Sequence, residues 1–70
     1  MRKRIKYSFH AEKRMLERGI SENEIKSVLD EPDFVRTEGD KKRAEKTIEG
    51  RRIKIIYTEE ENYIKIITVF

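Results

Sequence analysis

Pro32 divides this chain into two parts with different hydrophobic periods. Before it, apolar residues recur at helical spacing. After it, they alternate as strands do. Seventy residues allow one domain, 1–70, so both parts must share one small core.

Lys3 to Ser8 reads as a short strand with Ile5 and Tyr7 on one face. Ser8 or His10 can start a helix whose good helix formers run to Arg18 and stop at Gly19. Ser21-Glu22-Asn23-Glu24 is a capping box for a second helix, which carries Ile25, Val28 and Leu29 to about Asp30. Glu31-Pro32 ends it. Asp33–Thr37 is a first, short strand candidate beyond the proline, and Glu38-Gly39-Asp40 is a turn. Arg43–Glu49 is a weakly apolar strand with Ala44 and Ile48 on one face, and Glu49-Gly50 marks a tight hairpin. Arg52–Thr58 and Tyr63–Phe70 are strong strands, separated by the acidic loop Glu59-Glu60-Glu61-Asn62.

The expected fold is therefore α+β: two N-terminal helices on one face of a mostly antiparallel sheet of three to four strands, in the order β-α-α-β-β-β. Ile53, Ile55 and Tyr57 share one sheet face and Ile56 takes the other. By strict alternation Ile67 and Val69 oppose Ile64, Ile66 and Phe70. Apolar residues thus fall on both faces, and two helices cover only one. A homodimer through the second face, a partner site or a partly exposed surface would account for the other.

Composition narrows the function. No apolar run approaches bilayer length, and no apolar stretch follows the basic Met1–Lys6 segment, so neither a membrane span nor a signal peptide is expected. With no cysteine and one histidine, neither a disulfide framework nor a zinc site is expected, and no cofactor is implied. The absence of cysteine fits a cytoplasmic protein. Lys and Arg number 17 against 14 Asp and Glu, a net charge of +3. The positive charge clusters at residues 1–6, 41–46 and 51–54, where it can attract phosphate backbones or simply form a solvated surface.

Two groups of residues could carry chemistry. On the first helix, with His10 at zero, Arg14, Glu17 and Arg18 fall at about 40°, 340° and 80°, one polar stripe bordered by Ala11 and Met15. Metal-free RNA cleavage needs an acid, a base and cations on the phosphate. His10 can serve as acid or base, Arg14 and Arg18 as a phosphate clamp, and Glu17 as base or as the group that orients an arginine. The same four residues could equally form helix salt bridges and a helix cap. On the strands, Arg51, Arg52, Lys54, Tyr57, Tyr63 and Lys65 mix cations with rings, as surfaces that hold phosphates and stack unpaired bases do. A solvated sheet face, with Tyr57 a core ring, would look alike in sequence.

The run Tyr7-Ser8-Phe9-His10-Ala11-Glu12-Lys13-Arg14-Met15-Leu16-Glu17-Arg18-Gly19-Ile20-Ser21 resembles a family opening motif, F-S-x-H-A-x-x-R-M-x-E-R-G-I-S. Val28-Leu29-Asp30-Glu31-Pro32 resembles the same family's V-L-x-x-P. The stretches Gly50–Tyr57 and Ile67–Val69 resemble its last strands. That family is a domain of unknown function, number 4258, which brings no activity with it. Its element order is similar to that of RelE/ParE-type toxins, especially the BrnT-like branch. The likeness implies a small basic protein encoded beside an antitoxin. Many such proteins are metal-independent ribonucleases, some acting on the ribosome, while the ParE branch poisons gyrase. It also implies His10, Arg14, Glu17 and Arg18 as the site, with Arg52 and Tyr57 as phosphate-binding and acid/base groups. The leading expectation is a toxin-like, RNA-directed protein, a metal-independent endoribonuclease with RNA or the ribosome and a cognate antitoxin as partners. The rival is a non-catalytic module that binds protein or nucleic acid.

Overall fold

The computed structural model describes residues 3–70. Met1 and Arg2, part of the basic N-terminal cluster, lie outside the described residues. The elements are β1 (Arg4–Tyr7), α1 (Phe9–Arg18), α2 (Glu22–Asp30), β2 (Phe34–Glu38), β3 (Lys41–Ile48), β4 (Arg51–Glu59) and β5 (Tyr63–Val69).

Local chemistry sets the helix ends. Ser8 Oγ accepts the Ala11 N–H at 3.0 Å and caps α1. Gly19 closes α1 at φ 66°, a left-handed conformation that suits glycine. Its turn is completed by the Ile20 N–H, which donates to the Met15 carbonyl at 2.9 Å. The α2 capping box forms in full: Ser21 Oγ accepts the Glu24 N–H at 3.1 Å, and Glu24 Oε1 accepts the Ser21 N–H at 2.9 Å. At the β3–β4 hairpin both turn residues have positive φ, Glu49 at 50° and Gly50 at 81°. That geometry matches the right-handed twist of the flanking strands.

The sheet corrects the expected architecture. It has five strands in the order β1-β5-β4-β3-β2, and the chain runs β-α-α-β-β-β-β. The expected sheet of three to four strands and the RelE-like order β-α-α-β-β-β are both overturned. The extra strand is β2, the polar segment after Pro32, which pairs along its whole length with β3. Its five residues are all exposed, so the hydrophobic signal that identifies a strand is weak there. The sheet is also mixed, because β1 pairs parallel with β5 while the other three pairings are antiparallel. The two helices carry the chain from β1 to the far edge of the sheet. Three successive hairpins then walk it back until β5 lies beside β1, running the same way.

A second correction concerns the faces of β5. Tyr57 pairs with Ile66, yet Ile56 pairs with Thr68, so Ile67 is an extra residue. This bulge reverses the alternation beyond it. Val69 joins Ile64 and Ile66 in the core, all three buried, and does not oppose them. Phe70 passes to the other face, where its backbone pairs with Lys54. Ser8 holds the bulge: its N–H donates to the Ile66 carbonyl at 3.0 Å and its Oγ donates to the Ile67 carbonyl at 2.7 Å. One serine therefore caps α1 and fixes the kink in β5. Ser8→Ala should cost about 2–3 kcal/mol, about 1 from the lost cap and about 1–2 from the orphaned, half-buried carbonyl. A urea melt showing no loss would exclude this double role.

One core forms on the helix-covered face of the sheet. Ile53, Ile55 and Tyr57 from β4, Ala44 from β3, and Ile64, Ile66 and Val69 from β5 meet Ala11 and Ile20 from α1 and its turn, and Ile25 and Val28 from α2. Among the described residues no polar or charged residue is buried. The opposite face carries no helix.

Candidate nucleic-acid interface

The open face is built by strand alternation and pairing register. Opposite the buried Ala44, Ile53 and Ile55 stand Arg43, Glu45, Arg52 and Lys54. Register then brings Arg36 beside Arg43, Phe34 beside Glu45, and Lys6 beside Lys65. The result is a surface of cations set among rings.

Phe70 lies at the centre of the best-formed part. The Arg43 guanidinium is 5.3 Å from its ring centroid and the Lys54 ammonium is 5.6 Å away. Lys6 sits 4.4 Å over Tyr63, and Arg36 lies 5.8 Å from Phe34. These cation–ring contacts hold flexible side chains above the sheet at small cost. Glu45 pins two arginines, accepting from Arg52 at 3.1 Å and lying 3.5 Å from Arg43 Nε. That Nε is closed off from solvent and makes no hydrogen bond, so the contact is an ion pair of poor angle. Arg52 also donates to Thr47 Oγ1 at 3.0 Å. Lys65 is exposed. The carboxylates Glu38 and Glu45, with Asp33 at 3.6 Å from Arg52, offset only part of the positive charge of Arg36, Arg43, Arg52, Lys54, Lys6 and Lys65.

Glu59, at the start of the acidic loop, does not counter this face. Glu59 points to the helix-covered side, where Lys42 reaches it at 3.0 Å and Lys3 at 3.1 Å. Hydrogen bonds from both lysines hold its carboxyl below the usual range.

The structure divides the sequence-derived candidates among four places. Arg52, Lys54 and Lys65 stand on the open face. Arg51 does not: it donates to the carbonyls of Arg18 at 3.0 Å and Gly19 at 3.2 Å, and to both oxygens of Glu24. It locks the α1–α2 turn to β4. Tyr57 is in the core, 8% exposed, and burial raises its phenol above the ordinary value. The third place for a candidate is thus the helix side of the sheet, away from Arg52 and Lys54. His10, Arg14, Glu17 and Arg18 share α1, which packs on the helix-covered face. His10, Glu17 and Arg18 are exposed and Arg14 is half-buried; their side chains make no hydrogen bond or ion pair among the described residues. The sheet separates this stripe from the open-face cations.

Sequence reasoning missed Phe70, Arg36, Phe34 and Glu45, and placed Lys6 and Arg43 only within the basic clusters 1–6 and 41–46. The alternation Arg43-Ala44-Glu45 carried a usable signal for two of them. Phe70 had none, because a bulge leaves no mark on hydrophobic period. Among the described residues no three histidine, aspartate or glutamate side chains group to hold a metal, and no helix is long and apolar enough to cross a membrane.

The profile of a family described as a domain of unknown function, DUF4258, matches residues 7–70. The chain belongs to this family. No curated protein and no solved structure matches it. The DUF4258 match starts at Tyr7 and so takes in the α1 stripe, the capping box and the four strands that follow.

The Arg51–Glu24 clamp of this DUF4258 chain has a pH signature. The Ser21 amide, and then Arg51, hold the Glu24 carboxyl below its ordinary value of 4.5. A depressed folded-state value stabilises the fold above the unfolded value and is lost as pH falls through the folded one. Glu59 acts in the same direction. The thermal midpoint should therefore fall as pH drops below 4.5, and Glu24→Gln with Glu59→Gln should flatten that fall. An equally steep fall in the double variant would place the acid sensitivity elsewhere.

Proposed function

We propose that this protein binds single-stranded RNA on the open face of its sheet. The observation that carries the reading is the Phe70 ring with Arg43 and Lys54 both beside it. Cations beside a ring suit a nucleotide, whose phosphate is charged and whose base stacks. Duplex RNA offers its base faces to no ring, so single strands are the better fit. Arg36, Arg52, Lys6 and Lys65 extend the positive surface along the sheet.

The test is fluorescence anisotropy of a labelled single-stranded RNA with wild type, Lys54→Ala and Phe70→Leu. Both variants should bind several-fold more weakly, with the fold retained by circular dichroism. Unchanged binding in both would remove the open face as the site.

Endoribonuclease chemistry that joined His10, Arg14, Glu17 and Arg18 to the phosphate-binding Arg52 would need one phosphate to meet groups on both sides of the sheet. Binding on the open face needs no such reach, which is why it is the favoured reading. The same RNA incubated with excess chelator, wild type against His10→Ala, tests cleavage directly. Cutting by wild type alone would move the functional centre to α1.

A further inference from the structure

We propose that the groove between α1, α2 and β1 docks a basic amphipathic helix from a partner protein. The groove has a volume of about 390 Å³ and is lined by Tyr7, Glu12, Met15, Leu16, Ile20 and Glu22. Its floor is apolar: Tyr7, Met15 and Ile20 come from β1, α1 and the turn after α1.

The wall beside it is the most exposed apolar surface among the described residues. Leu16 is 86% exposed and Phe9 is 83% exposed. They stand seven residues apart on α1, so they share a stripe two helical turns long. A solvent-facing Phe and Leu on one stripe, next to an apolar groove, mark an interaction surface and not a random exposure. A linear ridge of that length suits a second helix laid along it.

Charge selects the partner. Glu12 and Glu22 border the groove, and neither makes an ion pair among the described residues. A lysine or arginine on the incoming helix would lay its aliphatic stem on Phe9 and Leu16 and bring its charge to these carboxylates. Phosphate groups are repelled by the same carboxylates, so RNA is not the occupant. The groove lies on the helix-covered side, so a docked helix leaves the open sheet face free.

The probe is a labelled helical peptide of about 14 residues, with leucines at i, i+3, i+4 and i+7 and lysines beside them. A twin carries glutamate in place of every lysine. Anisotropy with the full chain should show the lysine peptide binding at least about tenfold more tightly than its twin. Leu16→Glu should weaken it by about tenfold or more. Glu12→Gln with Glu22→Gln should bring the two peptides to similar affinity. Both sets of variants alter exposed side chains, and an unchanged circular dichroism spectrum and thermal midpoint for each would show an intact fold. Absence of peptide binding, equal binding of the twins to wild type, or indifference to Leu16→Glu would overturn the proposal. Sedimentation showing self-association that Leu16→Glu abolishes would also overturn it, because the occupant would then be a second copy of the chain.

Discussion

RNA binding by this protein should weaken about 50-fold between about 50 and about 200 mM salt. The estimate takes about four neutralised phosphates and a slope of about −0.7 per phosphate for single strands. The open face offers more cations than that, but Arg52 and Arg43 are partly committed to Glu45. The variants should then separate charge from stacking. Lys54→Ala removes one cation and should flatten the slope by about 0.7. Phe70→Leu keeps apolar bulk but loses the ring, so it should weaken binding by about 1–3 kcal/mol with the slope unchanged. A binding isotherm indifferent to salt would show that phosphate contacts are not what holds the RNA. A slope that changes equally in the two variants would show that Phe70 acts only by placing the cations.

Ile55→Ala should be the most damaging single substitution in the core, costing about 3–5 kcal/mol. Ile55 is fully buried on the central strand β4, with Ala44 on one side and Val69 on the other. Ala44 is too small to relax into the void, and Val69 is fixed by the bulge beside it. A single core in a chain of this length supplies only about 3–5 kcal/mol in all, so the variant should be largely unfolded at room temperature. Ile55→Val should lose only about 1 kcal/mol. Ile56→Ala is the control: the neighbouring residue is half-exposed on the open face and should cost much less. Denaturant midpoints for the three variants check the order. Equal losses at Ile55 and Ile56 would mean that both sheet faces are packed, as they would be in a dimer closed over the open face.

The local elements were legible because their signals are local. Ser21 and Glu24 write a cap in four residues, Gly19 and Pro32 write stops, and Ile53-Lys54-Ile55 writes a strand. The strand β2 was only faintly legible, since Phe34–Glu38 is exposed throughout and its identity comes from pairing with β3. The candidate site was legible in part. Arg52, Lys54 and Lys65 do share a face, but Arg51 and Tyr57 do not join them. Arg51 adjoins Arg52 in sequence and therefore points to the opposite side of the sheet.

Local sequence was enough for the two helices with their caps and stops, for the strong strands β4 and β5, and for a surface rich in cations. Those properties depend on contacts between residues close along the chain, or on composition alone. Long-range pairing alone set β1 parallel beside β5, which follows from three hairpins retracing the sheet. Tertiary packing likewise set His10, Arg14, Glu17 and Arg18 apart from the open-face cations. The position of Phe70 shows the physical reason most directly. One extra residue at Ile67, held by Ser8 at the end of the neighbouring strand β1, turns Val69 inward and Phe70 outward. Side-chain direction along a strand is a running count, and a bulge whose cause lies 59 residues away resets it.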